Sequence, residues 1–318
     1  MDMSLLGASA LSFLLVAALT PVLLWGLRGL KLTQPIRAEL PPDHQAKRGT
    51  PLMAGIILLI GVAASVWMHP KPLVLFLGST FVLFSLVGFL DDFKKAAFQD
   101  PSGISGKTKL LLQFTITIGL LLILGLQFDL SPDILLYSGY ALHLPAVVYV
   151  IVIVLFIVGS ANAINFTDGL DGLLIHTAIP TYLFFFAISE SVEVRTFCLV
   201  MIGCLLGLFL YNMYPAKAFM GDTGSLAIGG SLSFLAVIEK VEILIPLLFF
   251  VYLAEQLSVI LQVWYYKRTK LRIFRMAPVH YHFSLKYGWS ENTIVLVFGA
   301  VSWLSALVSW VIWKTVLS

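Results

Sequence analysis

The residues able to do chemistry in this chain are a few carboxylates at close spacing. Gly88-Phe89-Leu90-Asp91-Asp92 is one group, and Asn162 to Gly172, with Asn165, Asp168 and Asp171, is a second. Phe219-Met220-Gly221-Asp222-Thr223-Gly224-Ser225 is the third, so five aspartates lie in Gly-flanked segments where apolar runs meet loops. Oxygen donors without accompanying cysteines suit a hard cation such as Mg²⁺, which takes one or two carboxylates and fills its shell with water and substrate phosphates. Lys47, Arg48, Lys107 and Lys109 add positive charge on the same side. A magnesium–diphosphate site is the chemistry that these residue types favour.

Each group also has a plainer reading. Asp91-Asp92 closes an apolar run, and a carboxylate at a helix C-terminus is opposed by the macrodipole, so the pair calls for a cation or a proton. Helix capping accounts for one aspartate between Asn162 and Gly172, but not for two aspartates and two asparagines. Asp222 or Thr223 can cap the helix that follows, while the amides of that turn can make a phosphate nest. In Arg275-Met276-Ala277-Pro278-Val279-His280-Tyr281-His282-Phe283 the two histidines are two apart and share no helix face, so a loop or extended stretch is expected after Pro278. No HExxH or cysteine cluster accompanies them, which argues against zinc. The run Lys267, Arg268, Lys270, Arg272, Arg275 marks a cytoplasmic loop or binds phosphates and anionic lipid heads. Cys198 and Cys204 act as small hydrophobes, and the lack of a Walker loop argues against an NTP-driven machine.

The elements that position these residues are set by composition. Of 318 residues, 59% are hydrophobic and 12% charged, with mean hydropathy +0.95. A soluble enzyme could not hide that much apolar surface, and a net charge of +3 gives no reason to expect a nucleic-acid partner. Ten runs are long enough to read as spans: Leu5–Leu27, Leu52–Met68, Leu73–Leu90, Leu110–Phe128, Ala146–Ala161, Leu173–Ser189, Thr196–Tyr214, Ser225–Ile238, Ile243–Tyr266 and Thr293–Trp313. In lipid they must be helices. The expectation is an all-α polytopic integral membrane protein of about ten transmembrane helices, a single catalytic domain over 1–318, its first run a retained span. Of the 20 Lys and Arg, 16 fall in loops on one side and only Lys71, Arg195, Lys240 and Lys314 on the other. The positive-inside rule makes the first side cytoplasmic and both termini extracytoplasmic, which puts the aspartate groups on the cytoplasmic face.

At these residues the chain resembles the polyprenyl-phosphate N-acetylhexosamine-1-phosphate transferase superfamily. Five ordered blocks carry the resemblance: His44 to Gly55, Gly88 to Asp92, Asn162 to Gly172, Phe219 to Ser225, and Ala277 to Phe283. The first and last favour its muramoyl-pentapeptide branch. Tyr281 stands where that branch has the middle of three histidines, and Leu52 and Ala54 replace a usual Thr and Gly. The resemblance implies Mg²⁺-dependent transfer of phospho-MurNAc-pentapeptide from UDP-MurNAc-pentapeptide to undecaprenyl phosphate in a bacterial cell membrane, giving lipid I and UMP, and a homodimer. It implies Asp222 as metal ligand and catalytic residue, Asp91 as base or nucleophile with Asp92 beside it, and His280 as a catalytic residue on the phosphate side. Lys47 and Lys109 match phosphate-side residues. Asn165, Asp168, Gly169, Leu170, Asp171, Asn212 and His282 match substrate-binding positions, and Phe219 a ring that stacks on uracil.

Two rivals stand beside this reading. A GlcNAc-1-phosphate transferase would take UDP-GlcNAc as donor. A ten-span transporter would keep its ionisable groups near the midplane, where only Glu255 is expected; a polar contact facing the bundle is the plainer expectation for it.

Overall fold

The computed structural model describes residues 3–34, 49–128 and 130–317. Lys47, Arg48 and His44 lie outside the described residues. All ten apolar runs are helical. In chain order the helices are α1 (Met3–Gly29), α2 (Leu59–Met68, entered through a 3₁₀ turn at Ala54–Leu58), α3 (Pro72–Phe98) and α4 (Gly106–Gln127). Then come α5 (Ala146–Thr167), α6 (Leu173–Ile188), α7 (Val192–Asn212), α8 (Gly221–Ile238), α9 (Ile245–Leu248), α10 (Phe250–Thr269), α11 (Val279–Tyr287) and α12 (Glu291–Ile312).

Among the described residues, seven helices are long and apolar enough to cross a bilayer, and a segment broken by a 76° bend between Leu248 and Phe250 makes an eighth. The remaining two expected spans are shorter apolar helices, Ala54–Met68 and α6. The 16 residues of α6 rise about 24 Å, less than a full hydrocarbon core. The loop expected at 129–145 holds a small hairpin, β1 (Asp133–Tyr137) and β2 (Tyr140–His143), paired antiparallel.

Two local expectations are corrected. The helix bearing Asp91 and Asp92 does not close there: α3 continues to Phe98, because a helix ends where its backbone bonds end, not where its apolar run ends. The segment after Pro278 is the helix α11 rather than a loop. Proline lacks only an N–H that would be unpaired at a helix start, and its fixed φ suits that position.

The core is built by close approach of backbones. Helix α8 packs between α3 and α5, and α1 lies along α7. Lipid tails are as apolar as leucine, so helices associate through small residues and interhelical contacts. At Gly229, a Cβ would stand 2.7 Å from the Ala161 Cα of α5. Leu14, Val22, Leu111, Leu122, Ile151, Leu257 and Leu304 remain exposed and form the surface that faces lipid.

The ends of the bundle differ. At one, Lys71 pairs with Glu193 at 3.0 Å. Lys240 Nζ donates to the Ser131 carbonyl at 2.5 Å and the Tyr149 hydroxyl at 3.0 Å, and the Ser138 amide donates to the Val316 carbonyl. These contacts tie the hairpin to the chain end carrying Lys314. The opposite end gathers the aspartate groups.

Candidate active site

Four helix ends meet around Asp222. Asp91, Asp92 and Lys95 lie along the last turns of α3, Lys109 in the first turn of α4, Asn165 in the last turn of α5, and Asp222 and Ser225 in the first turns of α8. Lys95 Nζ lies 2.5 Å from Asp91 Oδ2 and 3.1 Å from Asp222 Oδ2. Lys109 Nζ is 2.6 Å from the same Asp222 oxygen and 3.3 Å from Asn165 Oδ1. Asn165 Nδ2 donates to Asp222 Oδ1 at 2.9 Å and to Ser225 Oγ at 2.7 Å. Asp222 therefore does not cap its own helix; both its oxygens face groups from α3, α4 and α5.

The cap comes from elsewhere. Asp92 Oδ2 accepts the Thr223 amide at 2.8 Å and the Thr223 hydroxyl at 2.7 Å, so a carboxylate two turns before the end of α3 satisfies an orphan N–H at the start of α8. There the macrodipole attracts it. Gly88, one turn earlier, lets the backbones touch, since a Cβ there would run into the Asp222 carbonyl. Asp91 Oδ1 accepts the Ile104 amide at 2.8 Å.

Asp91, Asp92 and Asp222 each place one oxygen within 4.8 Å of the others, a group able to hold a metal ion. Asp92 Oδ1 is buried and has no hydrogen-bond partner, an orphan that suits a cation ligand. The donor set is all oxygen, the type that Mg²⁺ takes.

The flanking residues form a second tier. Asp168 caps the C-terminus of α5; desolvation, reinforced by the charges of Asp222, Asp92 and Asp171, pushes its carboxyl well above the usual range, against the pull of the Gly221 amide. Asp171 Oδ2 accepts the Ala216 amide at 2.8 Å. Asn212 donates to the Ala218 carbonyl and accepts from the Gly172 amide. These two side chains shape the loop between α7 and α8, and Phe219 on that loop is joined by its backbone to Pro51 and Ala54. Leu170 packs in an apolar cluster with Leu173, Ile294 and Phe298.

His280 is fully buried against Glu255 and Gly169, and among the described residues it makes no hydrogen bond or ion pair to the three-aspartate group. His282 Nδ1 accepts the Arg275 amide at 3.0 Å, with Phe274 and Tyr287 against its ring. Asn162 donates to Gln113 at 2.6 Å, so it braces α5 on α4. Lys95 was not among the expected site residues, yet it lies within ion-pair distance of all three central carboxylates. Its signal was the spacing of four from Asp91, meaningful only on a helix that continues past Leu90.

Fold and site define a polytopic membrane protein whose reactive groups, carboxylates and lysines, meet at one end of a helix bundle. A family model described as glycosyl transferase family 4 matches residues 73–240. The chain is 39% identical to a phospho-N-acetylmuramoyl-pentapeptide-transferase of Geobacillus thermodenitrificans (strain NG80-2), covering 94% of this chain and 95% of that protein. It is 38% identical to one from Staphylococcus carnosus (strain TM300) over 94% and 96%, and 37% identical to one from Bacillus mycoides (strain KBAB4) over 96% and 97%. The chain belongs to glycosyl transferase family 4 and, within it, to the phospho-N-acetylmuramoyl-pentapeptide-transferases, which are multi-pass bacterial membrane proteins.

Proposed function

We propose that this chain is a single catalytic domain that transfers phospho-MurNAc-pentapeptide from UDP-MurNAc-pentapeptide to undecaprenyl phosphate, releasing UMP and forming lipid I. The observation that carries the reading is the oxygen cluster of Asp91, Asp92 and Asp222 between Lys95 and Lys109, in a chain related over its length to transferases of that name. Asp222, Asp92 and Asp91 would hold Mg²⁺. An ion held there would supply charge neutralisation for the diphosphate and the leaving UMP.

The remaining chemistry follows from the chain's own groups. Three carboxylates against two ammonium groups leave one net negative charge when all are ionised, so the centre attracts a cation before an anionic substrate. Lys95 and Lys109 then offer donors to phosphate oxygens, where charge neutralisation dominates phosphoryl transfer. The acceptor lipid phosphate, with a second pKa of about 6, brings its own nucleophilic oxygen at neutral pH. Both Asp91 oxygens are engaged, by the Ile104 amide and by Lys95, which favours Asp91 as a positioning group and direct displacement over a phosphoryl-enzyme route. Asn165 orients Asp222 and Lys109. Asp168, Gly169, Leu170, Asp171, Asn212, Phe219 and His282 form the donor side in this reading, and the family resemblance assigns Lys47 and a catalytic His280 to the phosphates. The family resemblance adds a homodimer.

The test is transfer in membranes holding the full chain. UDP-MurNAc-pentapeptide with undecaprenyl phosphate is expected to yield UMP and a lipid-linked product; product from UDP-GlcNAc alone would overturn the donor assignment. Asp222→Ala is expected to lower Mg²⁺-dependent UMP release by at least about a hundredfold. Full activity in that variant would remove Asp222 from the metal site.

A further inference from the structure

No step of the proposed transfer uses Glu255. This residue is fully buried on α10, away from both helix ends. Its Oε2 lies 3.1 Å from His280 Nδ1 and accepts the His280 amide at 3.4 Å. Its Oε1 is buried with no hydrogen-bond partner, and so are both His280 ring nitrogens, so the Oε2–Nδ1 approach is a charge contact rather than a hydrogen bond. A carboxylate inside a membrane bundle is costly and is kept where it serves a partner.

The partner itself leads back to the site. Opposite Glu255, the His280 ring presses on Gly169: a Cβ at Gly169 would lie 2.5 Å from both Cε1 and Nε2. The neighbouring Tyr281 hydroxyl donates to the Gly169 carbonyl at 3.3 Å. Gly169 adjoins Asp168 and lies two residues before Asp171, whose side chain holds the Ala216 amide of the α7–α8 loop. The Glu255 carboxylate meets Nδ1 at ion-pair distance and also accepts the His280 amide, so it holds the ring against Gly169 from the far side. Without that carboxylate the ring is free to turn, and it cannot turn without moving Gly169.

We infer that Glu255 is a positioning residue: through the His280 ring it holds the Asp168–Asp171 turn at the height from which it meets the nucleotide-linked donor. This rests on the donor reading above. The effect is on substrate placement and requires no proton transfer by Glu255.

A double-mutant cycle on the full-length protein tests it, with Glu255→Gln, which keeps the side-chain volume, and Gly169→Ala, which pushes on the ring from the other side. Steady-state constants are measured for UDP-MurNAc-pentapeptide and for undecaprenyl phosphate separately. Glu255→Gln is expected to raise the donor KM about tenfold and leave the lipid-phosphate KM unchanged. Gly169→Ala should reproduce that pattern, Glu255→Asp should recover part of the affinity, and the double variant should fall short of the product of the single effects. A wild-type donor KM in Glu255→Gln, a loss shared by both substrates, or multiplicative single effects would overturn the inference. Should Glu255→Gln fail to fold, His280→Gln takes its place in the cycle with the same outcomes. A wild-type protein that makes no product from UDP-MurNAc-pentapeptide overturns the donor reading alone, and the cycle is then read on the donor that it does use.

Discussion

Lys95 is held by three carboxylates at once, lying 2.5 Å from Asp91, 3.1 Å from Asp222 and 3.9 Å from Asp92. Its ammonium thus occupies part of the field that a divalent cation would share. Replacing it separates two effects that usually move together. Lys95→Met should lower turnover by about a hundredfold, since a donor to the diphosphate is lost. The same change should let Mg²⁺ half-saturate the enzyme at lower concentration, since a competing positive charge is gone. Titrating UMP release against Mg²⁺ checks both; unchanged turnover would show that Lys95 serves only to hold the carboxylates together. That this lysine matters was not legible from its surroundings in the chain. Hydropathy marks where lipid ends, at Leu90, whereas the Asp91–Lys95 contact depends on where the helix ends, at Phe98.

At the scale of elements, the α3–α8 crossing decides the geometry. Gly88 admits the α8 backbone, and Asp92 caps that helix. Gly88→Ala drives a methyl into rigid main chain rather than into a side chain that can turn aside, and should cost about 3 kcal/mol. Gly119 on α4 has open space around its Cα, so Gly119→Ala is the matching control and should leave stability unchanged or slightly raised. Thermal unfolding of both variants in detergent makes the comparison; equal transitions would remove the crossing from its role. The ten helical runs were readable because a bilayer leaves the backbone one solution. The cap was not readable, because Asp92 and Thr223 are joined only by tertiary packing. The helix after Pro278 was missed for a related reason: histidines two apart argue against a shared face, but not against a helix whose two faces meet different surroundings, as buried His280 and half-exposed His282 do.

For the whole molecule the charge distribution sets a direction. The contacts that gather Lys71, Lys240 and the hairpin at one end leave the three-aspartate group at the other; a cytoplasmic site with extracytoplasmic termini is the orientation that we propose from the positive-inside rule. Both native cysteines are buried, so introduced ones report cleanly. In intact cells Thr315→Cys is expected to react with a membrane-impermeant maleimide, and Ser102→Cys only after permeabilisation. The reverse pattern would invert the topology and put the nucleotide site on the wrong side for a cytoplasmic donor.

The joint between α3 and α8 has a practical side. Asp92 both completes the oxygen cluster and clamps the helix that carries Asp222, so it is hardware and chemistry in one residue. Anyone wanting an inert but well-assembled form, to trap a bound donor for instance, would do poorly to start there. Lys109 is the better handle: it reaches Asp222 from a loosely buried helix start and caps nothing, so silencing it should leave the scaffold standing.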